Sequence, residues 1–147
     1  MPTALRPAII GAYAAILLAG CALSTATVTS PLAGLSCVDD TPDCIKKRQA
    51  TLSYMTNDPT RAWVRQTPSA HAYASGVRLF AFKKKKSELT CDELKIGSNE
   101  AANASKILRG PDAESLTPAQ VSRGTLLAAE VSRELRRELS GRCKDKA

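Results

Sequence analysis

The chain has 147 residues, a formal net charge of +7, 24% charged and 44% hydrophobic residues, and five cysteines. This length allows one modest domain and excludes a large multidomain enzyme. The charged and hydrophobic fractions are ordinary for a globular chain, so they exclude a wholly disordered protein, a collagen-like fibre and a multispan membrane protein.

Residues 1–20 have the features of a secretory signal peptide. One basic residue, Arg6, precedes an apolar run at residues 8–18, small residues follow it, and acidic residues are absent. The apolar run is shorter than the roughly 20 residues that a membrane-spanning helix needs. A basic start, a short apolar middle and a small-residue end predict a signal peptide that is removed.

This segment ends in Leu18-Ala19-Gly20-Cys21, which resembles the lipobox of bacterial lipoproteins. The resemblance implies that Cys21 receives a diacylglycerol, that the signal is cut before it, and that the new amino terminus is acylated. In that family an Asp after the Cys favours the inner membrane. Ala22 stands there, so we expect an outer-membrane anchor, with the domain facing the periplasm. The alternative is an ordinary signal peptide that happens to contain Cys21.

Residues 21–36 predict a lipidated cysteine followed by a flexible tether. The stretch is small, rich in Ser and Thr, and uncharged, and it contains Pro31 and Gly34. Such a tether has a root-mean-square reach of roughly 20 Å, enough to lift a domain off the membrane surface. A short strand at residues 25–29 is the alternative. The folded domain is then predicted over residues 37–147.

Helix-start signals recur from residue 37 onward. Pro is favoured at the first helical position and Thr or Asp just before it. Four such pairs occur: Thr41-Pro42, Asp58-Pro59, Thr67-Pro68 and Thr117-Pro118. Thr90 followed by Glu93 is the capping-box pattern. The signals predict helices over residues 42–56, 59–66, 68–84, 91–96, 99–109 and 118–140.

One of these predicted helices has a competing strand interpretation, and another has a predicted end at a glycine. Gly76 weakens the helix over residues 68–84, and apolar alternation makes a strand at residues 77–82 the competing interpretation. Gly97 is predicted to end the helix that starts at residue 91, with Ser98 capping the next one.

The last helix has the clearest amphipathic pattern. Its apolar stripe includes Gly124, which is expected to let another backbone approach closely. Opposite charges three residues apart on the other face predict ion pairs along the helix. These charges are Glu130, Arg133, Glu134, Arg137 and Glu138.

The remaining four cysteines predict two disulfides, because a secreted chain meets an oxidising compartment. Four cysteines allow three pairings, and the sequence does not choose among them. We predict Cys37 with Cys44 and Cys91 with Cys143. There is no C-x-x-C motif and no His near a Cys, which disfavours zinc and thiol-redox chemistry. The expected fold is a small all-α domain stapled by two disulfides, with no cofactor and no metal.

No catalytic residue is predicted. His71 is the only histidine, and the sequence has no G-x-S-x-G, S-x-x-K or H-E-x-x-H motif to accompany it. A lone His in a helix is usually a packing or surface residue, since a general base needs a positioned partner.

A run of four lysines is the sharpest charge feature of the sequence. One interpretation is a solvated helix end, where cations complement the helix dipole. The other is an anion-binding patch, for which Arg61, Trp63 and Arg65 lie nearby in sequence. In the periplasm its partners would be an anionic envelope polymer, anionic lipid or an acidic envelope protein, rather than nucleic acid. The run consists of Lys83, Lys84, Lys85 and Lys86.

Three stretches between residues 74 and 143 are similar to small uncharacterised envelope lipoproteins of rhizobia-like alphaproteobacteria. The stretches are residues 74–80 (ASGVRLF), 89–94 (LTCDEL) and 116–124 (LTPAQVSRG). The resemblance implies an envelope location and brings no activity with it.

These observations predict a lipid-anchored cell-envelope protein with a non-catalytic binding or structural role. Its first partner is the membrane, through the N-terminal lipid. One alternative is an envelope enzyme that acts on peptidoglycan or lipid. Another is an accessory lipoprotein that regulates a secretion or surface complex. No feature of the sequence indicates an oligomeric state.

Overall fold

The computed structural model describes residues 30–144 of the chain. The predicted signal peptide, the lipidation site Cys21 and the first part of the predicted tether lie outside this range. The described part contains no strand, and the prediction of an all-α domain is confirmed. Its helices, in chain order, are α1 (Pro42–Asn57), α2 (Ala70–Ser75), α3 (Val77–Lys85), α4 (Cys91–Ile107) and α5 (Pro118–Arg142).

A disulfide joins the start of α4 to the end of α5, which shows that the two helices run antiparallel. Their mutual contact is the most extensive between helices of the described chain. Helix α3 packs against both α1 and α5, and its residues Leu79, Ala81 and Phe82 are fully buried. The core therefore lies around α3, with the α4–α5 pair along one side.

Three predicted helix starts are confirmed by side-chain caps. The Thr41 hydroxyl accepts a backbone hydrogen bond at the start of α1. Thr90 and Thr117 each form a complete capping box, with Glu93 and Gln120. Each cap satisfies backbone N–H groups that the helix itself leaves unpaired.

Two other helix starts differ from the prediction. The segment predicted as a helix over residues 59–66 is a single 3₁₀ turn, Ala62–Arg65. The helix predicted from residue 68 begins two residues later, because the Ser69 hydroxyl, not a Thr-Pro pair, accepts the capping hydrogen bond from the Ala72 N–H. Thr67-Pro68 therefore precedes this helix without capping it.

Gly76 divides the helix predicted over residues 68–84 into α2 and α3. Its φ of 77° is left-handed, which ends a right-handed helix and which glycine adopts without a Cβ penalty. The Gly76 N–H donates to the Tyr73 carbonyl oxygen and closes α2. The competing strand at residues 77–82 is wrong, since Val77 is the first residue of α3.

Gly97 does not end a helix, and the predicted stop there is wrong. Helix α4 continues through Gly97 and Ser98. A Cβ at Gly97 would lie 2.6 Å from the Phe82 ring and 3.1 Å from a methyl group of Leu135. Glycine inside a helix costs about 1 kcal/mol relative to alanine. Here that cost accompanies the close packing of an aromatic ring on the helix backbone.

Residues 30–36 belong to the folded domain. Gly34 is buried, and its N–H donates to the Thr51 hydroxyl of α1 at 2.9 Å. Leu32 and Leu35 pack against the core. The predicted tether is therefore too long at its C-terminal end.

A buried arginine holds the centre of the domain together. Arg78 of α3 is 1% exposed, and its guanidinium donates to both carboxylate oxygens of Glu100 on α4, at 2.5 and 2.7 Å. Burial raises the pKa of the Glu100 carboxyl, and the Arg78 charge opposes that shift. The guanidinium also donates to three backbone carbonyls, those of Trp63, Val64 and Gln66. The charge is thus paired, and each guanidinium nitrogen is hydrogen-bonded, as a buried ion requires.

Candidate anion-binding groove between two helices

The four cysteines of the described chain form the two predicted disulfides. Cys37 pairs with Cys44 and Cys91 pairs with Cys143, with Cα–Cα distances of 5.4 and 5.8 Å. Within residues 30–144 no three His, Cys, Asp or Glu side chains are grouped so that they could hold a metal ion. The cysteines therefore act as covalent links between segments: the first joins the residues before α1 to that helix, and the second joins α4 to α5.

His71 has one polar partner. Its Nε2 lies 3.1 Å from the Ser115 hydroxyl, between α2 and the connection that precedes α5. A nucleophile and base of this kind also need a group that orients the base. No carboxylate of the described residues is hydrogen-bonded to His71. The contact can hold the connection against α2, and the prediction that His71 is not catalytic stays a prediction.

The structure gives three lysines of the run an acidic partner. The pairs are Lys83–Glu130, Lys83–Glu134, Lys85–Glu88 and Lys86–Glu134. Lys84 is exposed and has no ion-pair partner in the described chain. The predicted anion-binding role of the lysine run stays a prediction, and the geometry does not favour it because most of its charge is already compensated.

These pairs overturn the ion pairs predicted along the last helix. Glu130 and Glu134 contact lysines of the neighbouring segment, and neither is paired with Arg133 or Arg137. A hydrogen bond from Lys86 is the main cause that lowers the pKa of the Glu134 carboxyl below its usual value. Of the predicted charges only Glu138 is paired along the helix, with Arg142. Arg133 and Arg137 of α5 are consequently left without the partners that their spacing suggested.

A groove of about 350 Å³ lies between α4 and α5. Its lining includes four alanines, whose short side chains leave the space between the helices open. They are Ala101, Ala102, Ala128 and Ala129. The volume falls within the roughly 300–1,000 Å³ that small-molecule sites occupy.

Three arginines line this groove: Arg109, which follows the end of α4 by two residues, and Arg133 and Arg136 of α5. None of them forms an ion pair within the part of the chain that the structure describes. Arg133 and Arg136 are three residues apart on one helix, so their like charges repel. We call Arg109, Arg133 and Arg136, with the groove that they line, the arginine groove.

Three hydroxyl groups line the same groove: Ser105, Thr125 and Ser132. Ser132 is 5% exposed, and its Oγ is buried with no hydrogen-bond partner. A buried hydroxyl that lacks a partner costs about 1–3 kcal/mol. Because Ser132 lines the groove, a ligand atom that accepts from its Oγ would recover that cost.

The lining of the arginine groove determines its chemistry. Its charged and hydroxyl side chains are guanidinium groups, which only donate hydrogen bonds, and hydroxyls, which can donate. None of its lining residues is a His, Asp, Glu, Cys or Lys. The groove can bind and orient an anion, but its own side chains supply no ordinary general base or thiol nucleophile.

A second groove of about 380 Å³ lies along α1, near Ser30 and Tyr54. Its lining is mainly apolar and carries an ion pair between Asp43 and Lys47 at 2.7 Å. No buried hydroxyl without a partner lies in its lining. The arginine groove is therefore the stronger candidate for a ligand site.

Comparisons with known protein families, with curated proteins and with solved structures found no match for this chain. Among residues 30–144 no helix combines the length and the apolar character needed to cross a membrane. The interpretation of the site therefore rests on its geometry.

No sequence pattern singled out the arginine groove. The predicted ion-pair partner of Arg133 lay on its own helix, and Arg109 was predicted only as the last residue of a helix. The sequence does not show which faces of α4 and α5 contact each other. The one available signal was the frequency of Ala and Ser in both helices, which indicates close packing and does not by itself indicate a ligand.

Proposed function

We propose that this chain is a lipid-anchored cell-envelope protein whose helical domain binds an anionic group without converting it. The lipobox-like sequence ending in Cys21 supports the anchor. The two disulfides support an oxidising compartment, since structural disulfides persist there. Together they favour an outer-membrane protein with its domain in the periplasm.

The observation that carries the binding role is the set of three unpaired arginines around one groove. Arg65 and Arg137 also lack an acidic partner in the described chain, but they lie outside the groove. By contrast, Arg109, Arg133 and Arg136 line one space, although α5 also carries three glutamates. Guanidinium groups bind carboxylates and phosphates through paired hydrogen bonds. An anionic envelope polymer, an anionic lipid or an acidic protein would supply such groups.

The anchor is tested with labelled palmitate in a bacterium that processes lipoproteins. The unchanged chain is expected to incorporate the label and to fractionate with the outer membrane. The Cys21→Ser variant is expected to lose the label and to keep its signal peptide. Retention of the label by Cys21→Ser would contradict the lipid anchor.

The binding role is tested by calorimetric titration of the full, disulfide-bonded chain in detergent with citrate, sulfate and inorganic phosphate at low salt. We expect Arg133→Gln/Arg136→Gln to weaken the best of these anions by at least about tenfold, since a hydrogen bond to a charged group contributes roughly 1.5–3 kcal/mol. The control is Arg65→Gln/Arg137→Gln, which removes the same charge from exposed arginines outside the groove. Equal weakening by both double variants would contradict a specific site.

A further inference from the structure

We propose that the arginine groove recognises a phosphate monoester, with the Ser132 hydroxyl donating to one of its oxygens; this rests on the proposed anion-binding function and names the ligand class. The groove contributes three positive charges, three hydroxyls and a small apolar lining. Charge, donor number and space each point to the same chemical group.

Charge complementarity favours a ligand with more than one negative charge. Arg109, Arg133 and Arg136 have no compensating carboxylate in the described chain. A single carboxylate would leave two of these charges unmatched. A phosphate monoester carries about −1.5 to −2 charges at neutral pH, which matches the groove more closely.

The hydrogen-bond donors also favour phosphate. A phosphate monoester offers three strong acceptor oxygens, whereas a carboxylate offers two. Two guanidinium groups that bind in a forked manner occupy several of these acceptor sites. A remaining site can accept from Ser132, whose buried Oγ has no partner.

The lining limits what carries the phosphate. Ala101, Ala102, Ala128 and Ala129 provide apolar contact, and none of the described residues that line the groove is aromatic. Nucleic-acid bases are commonly held by stacking on aromatic or guanidinium planes. With the guanidinium groups engaged by the phosphate, the groove favours a small alkyl or sugar phosphate over a nucleotide.

The test compares three glycerol derivatives by calorimetry on the full chain in detergent: glycerol 3-phosphate, the diester glycerophosphoglycerol, and glycerate. At pH 7.5 we expect glycerol 3-phosphate to bind at least about tenfold more tightly than the two singly charged probes, because one added charge-assisted hydrogen bond contributes roughly 1.5–3 kcal/mol. Between pH 7.5 and pH 5 its affinity should fall about five- to tenfold, since the second pKa of a phosphate monoester is about 6.

The pH dependence is assigned to the ligand because no carboxylate and no imidazole lines the groove. The charged side chains that line the groove are guanidinium groups, which are not deprotonated in proteins. Hydrogen bonds from Lys86 and Lys83 keep the pKa of the Glu134 carboxyl low. His71, the only histidine of the chain, does not line the groove. Glycerate binding should accordingly be unchanged between the two pH values.

Ser132→Ala provides a second readout that folding does not confound, since the hydroxyl forms no hydrogen bond within the described chain. We expect this variant to lose about tenfold in affinity for glycerol 3-phosphate, the effect of one hydrogen bond to a charged group. Ser122→Ala is the control, because Ser122 is exposed on α5 and lies outside the groove. Equal affinity of the Ser132→Ala variant and the unchanged chain would overturn the role given to Ser132.

The source of the phosphate is resolved by competition with lipid vesicles. Vesicles that contain phosphatidic acid present a phosphate monoester, whereas phosphatidylglycerol vesicles present a diester. Competition by phosphatidic acid alone indicates a lipid-borne ligand, and its absence indicates a soluble one; either supports the proposal if glycerol 3-phosphate binds. Equal or tighter binding of glycerate or the diester overturns the phosphate monoester and leaves the anion-binding function standing. No binding of any anion overturns both.

Discussion

Two basic regions border helix α5, and they differ in how much of their positive charge is paired with carboxylates. In the lysine run, Lys83 and Lys86 form ion pairs with Glu130 and Glu134. In the arginine groove, the arginines have no acidic partner in the described chain. The lysine run is the more conspicuous feature in the sequence, yet the arginine groove retains more uncompensated charge.

The difference shows that contacts between helices can override contacts along a helix. A glutamate three residues from an arginine gains only about 0.2–0.5 kcal/mol from pairing. Glu134 lies in a partly covered position, with 21% of its side chain exposed, where two lysines reach it. Partial burial reduces screening by solvent, so the glutamate contacts the lysines and the arginines remain available.

The largest expected effect concerns Arg78, a buried basic side chain whose charge is paired with the Glu100 carboxylate. We expect Arg78→Met to lower the free energy of unfolding by about 3–5 kcal/mol, because removal of one partner leaves the Glu100 carboxylate buried and unpaired. Chemical denaturation at pH 7.5 under oxidising conditions measures the loss. Arg65→Met, at an exposed position, is the control and should change stability by less than about 0.5 kcal/mol.

The Arg78→Met variant should also be less impaired at low pH. Burial raises the pKa of the Glu100 carboxyl in the folded chain, and loss of the Arg78 charge removes what opposes that shift. A carboxyl whose folded pKa exceeds its unfolded pKa binds its proton more tightly when folded, so stability falls as pH rises through that window. A loss that is the same at pH 5 and pH 7.5 would contradict this origin.

The disulfide between Cys91 and Cys143 is expected to have the next largest effect, because both basic regions depend on the position of α5. It closes a loop across a sequence separation of 52 residues, for which the chain-entropy estimate is about 4 kcal/mol. Cys91→Ser/Cys143→Ser should lose about this much in chemical denaturation.

The matched comparison for that disulfide is Cys37→Ser/Cys44→Ser. This pair spans only 7 residues, and the same estimate gives about 2 kcal/mol. A larger loss from the shorter loop would show that the entropy of the unfolded chain does not govern these two bonds.

The sequence predicted much of the fold because many of its signals are local. Thr41, Thr90 and Thr117 cap helices within a few residues of themselves, and the capping pattern is visible in the sequence. The close approach expected at Gly124 is also present, since a Cβ there would lie 3.1 Å from the Tyr73 carbonyl oxygen. The disulfide pairing was predicted, although four cysteines alone do not decide it.

The errors arose where the decisive contact is distant in sequence. Glycine is common at helix ends, but Gly97 lies inside α4, where the Phe82 ring packs closely against it. The position of Glu134 beside Lys86 depends on how α5 packs. The arginine groove belongs to the same class, because Arg109 follows the end of α4 whereas Arg136 lies on α5.

A smaller effect is expected from Glu134→Gln. This substitution removes the acidic partner of Lys86 and one of the two partners of Lys83, so more of the charge of the lysine run is left without a carboxylate, as in the arginine groove. The loss in stability should be about 1 kcal/mol or less, since the two lysine partners of Glu134 keep 32% and 38% of their side chains exposed. If nearby carboxylates suppress anion binding, the variant should bind sulfate at the lysine run more tightly than the unchanged chain. Calorimetric titration in an Arg133→Gln/Arg136→Gln background isolates the lysines. Unchanged sulfate affinity would contradict the proposed suppression.

The pH dependence of this effect has a definite sign. Hydrogen bonds from Lys86 and Lys83 lower the pKa of the Glu134 carboxyl in the folded chain. The stabilisation is therefore complete above the unfolded pKa and is lost as pH falls through the lower folded pKa. The stability difference between the unchanged chain and Glu134→Gln should shrink on acidification below about pH 4.5. A difference that grows on acidification would contradict the ion pair.

The smallest change in stability is expected at the arginine groove itself. Arg133→Gln/Arg136→Gln removes no ion pair of the described chain and relieves repulsion between like charges on one helix. Its free energy of unfolding should stay within about 0.5 kcal/mol of the unchanged chain, as for surface substitutions away from structural contacts. Chemical denaturation at low salt measures this, with Arg65→Gln/Arg137→Gln as the charge-matched control. A loss of several kcal/mol would mean that these arginines hold the fold together, and that their lack of acidic partners does not mark them for a ligand. Stability that is preserved while anion affinity falls would separate binding from folding at this surface, a separation that the ion-paired lysine run does not allow.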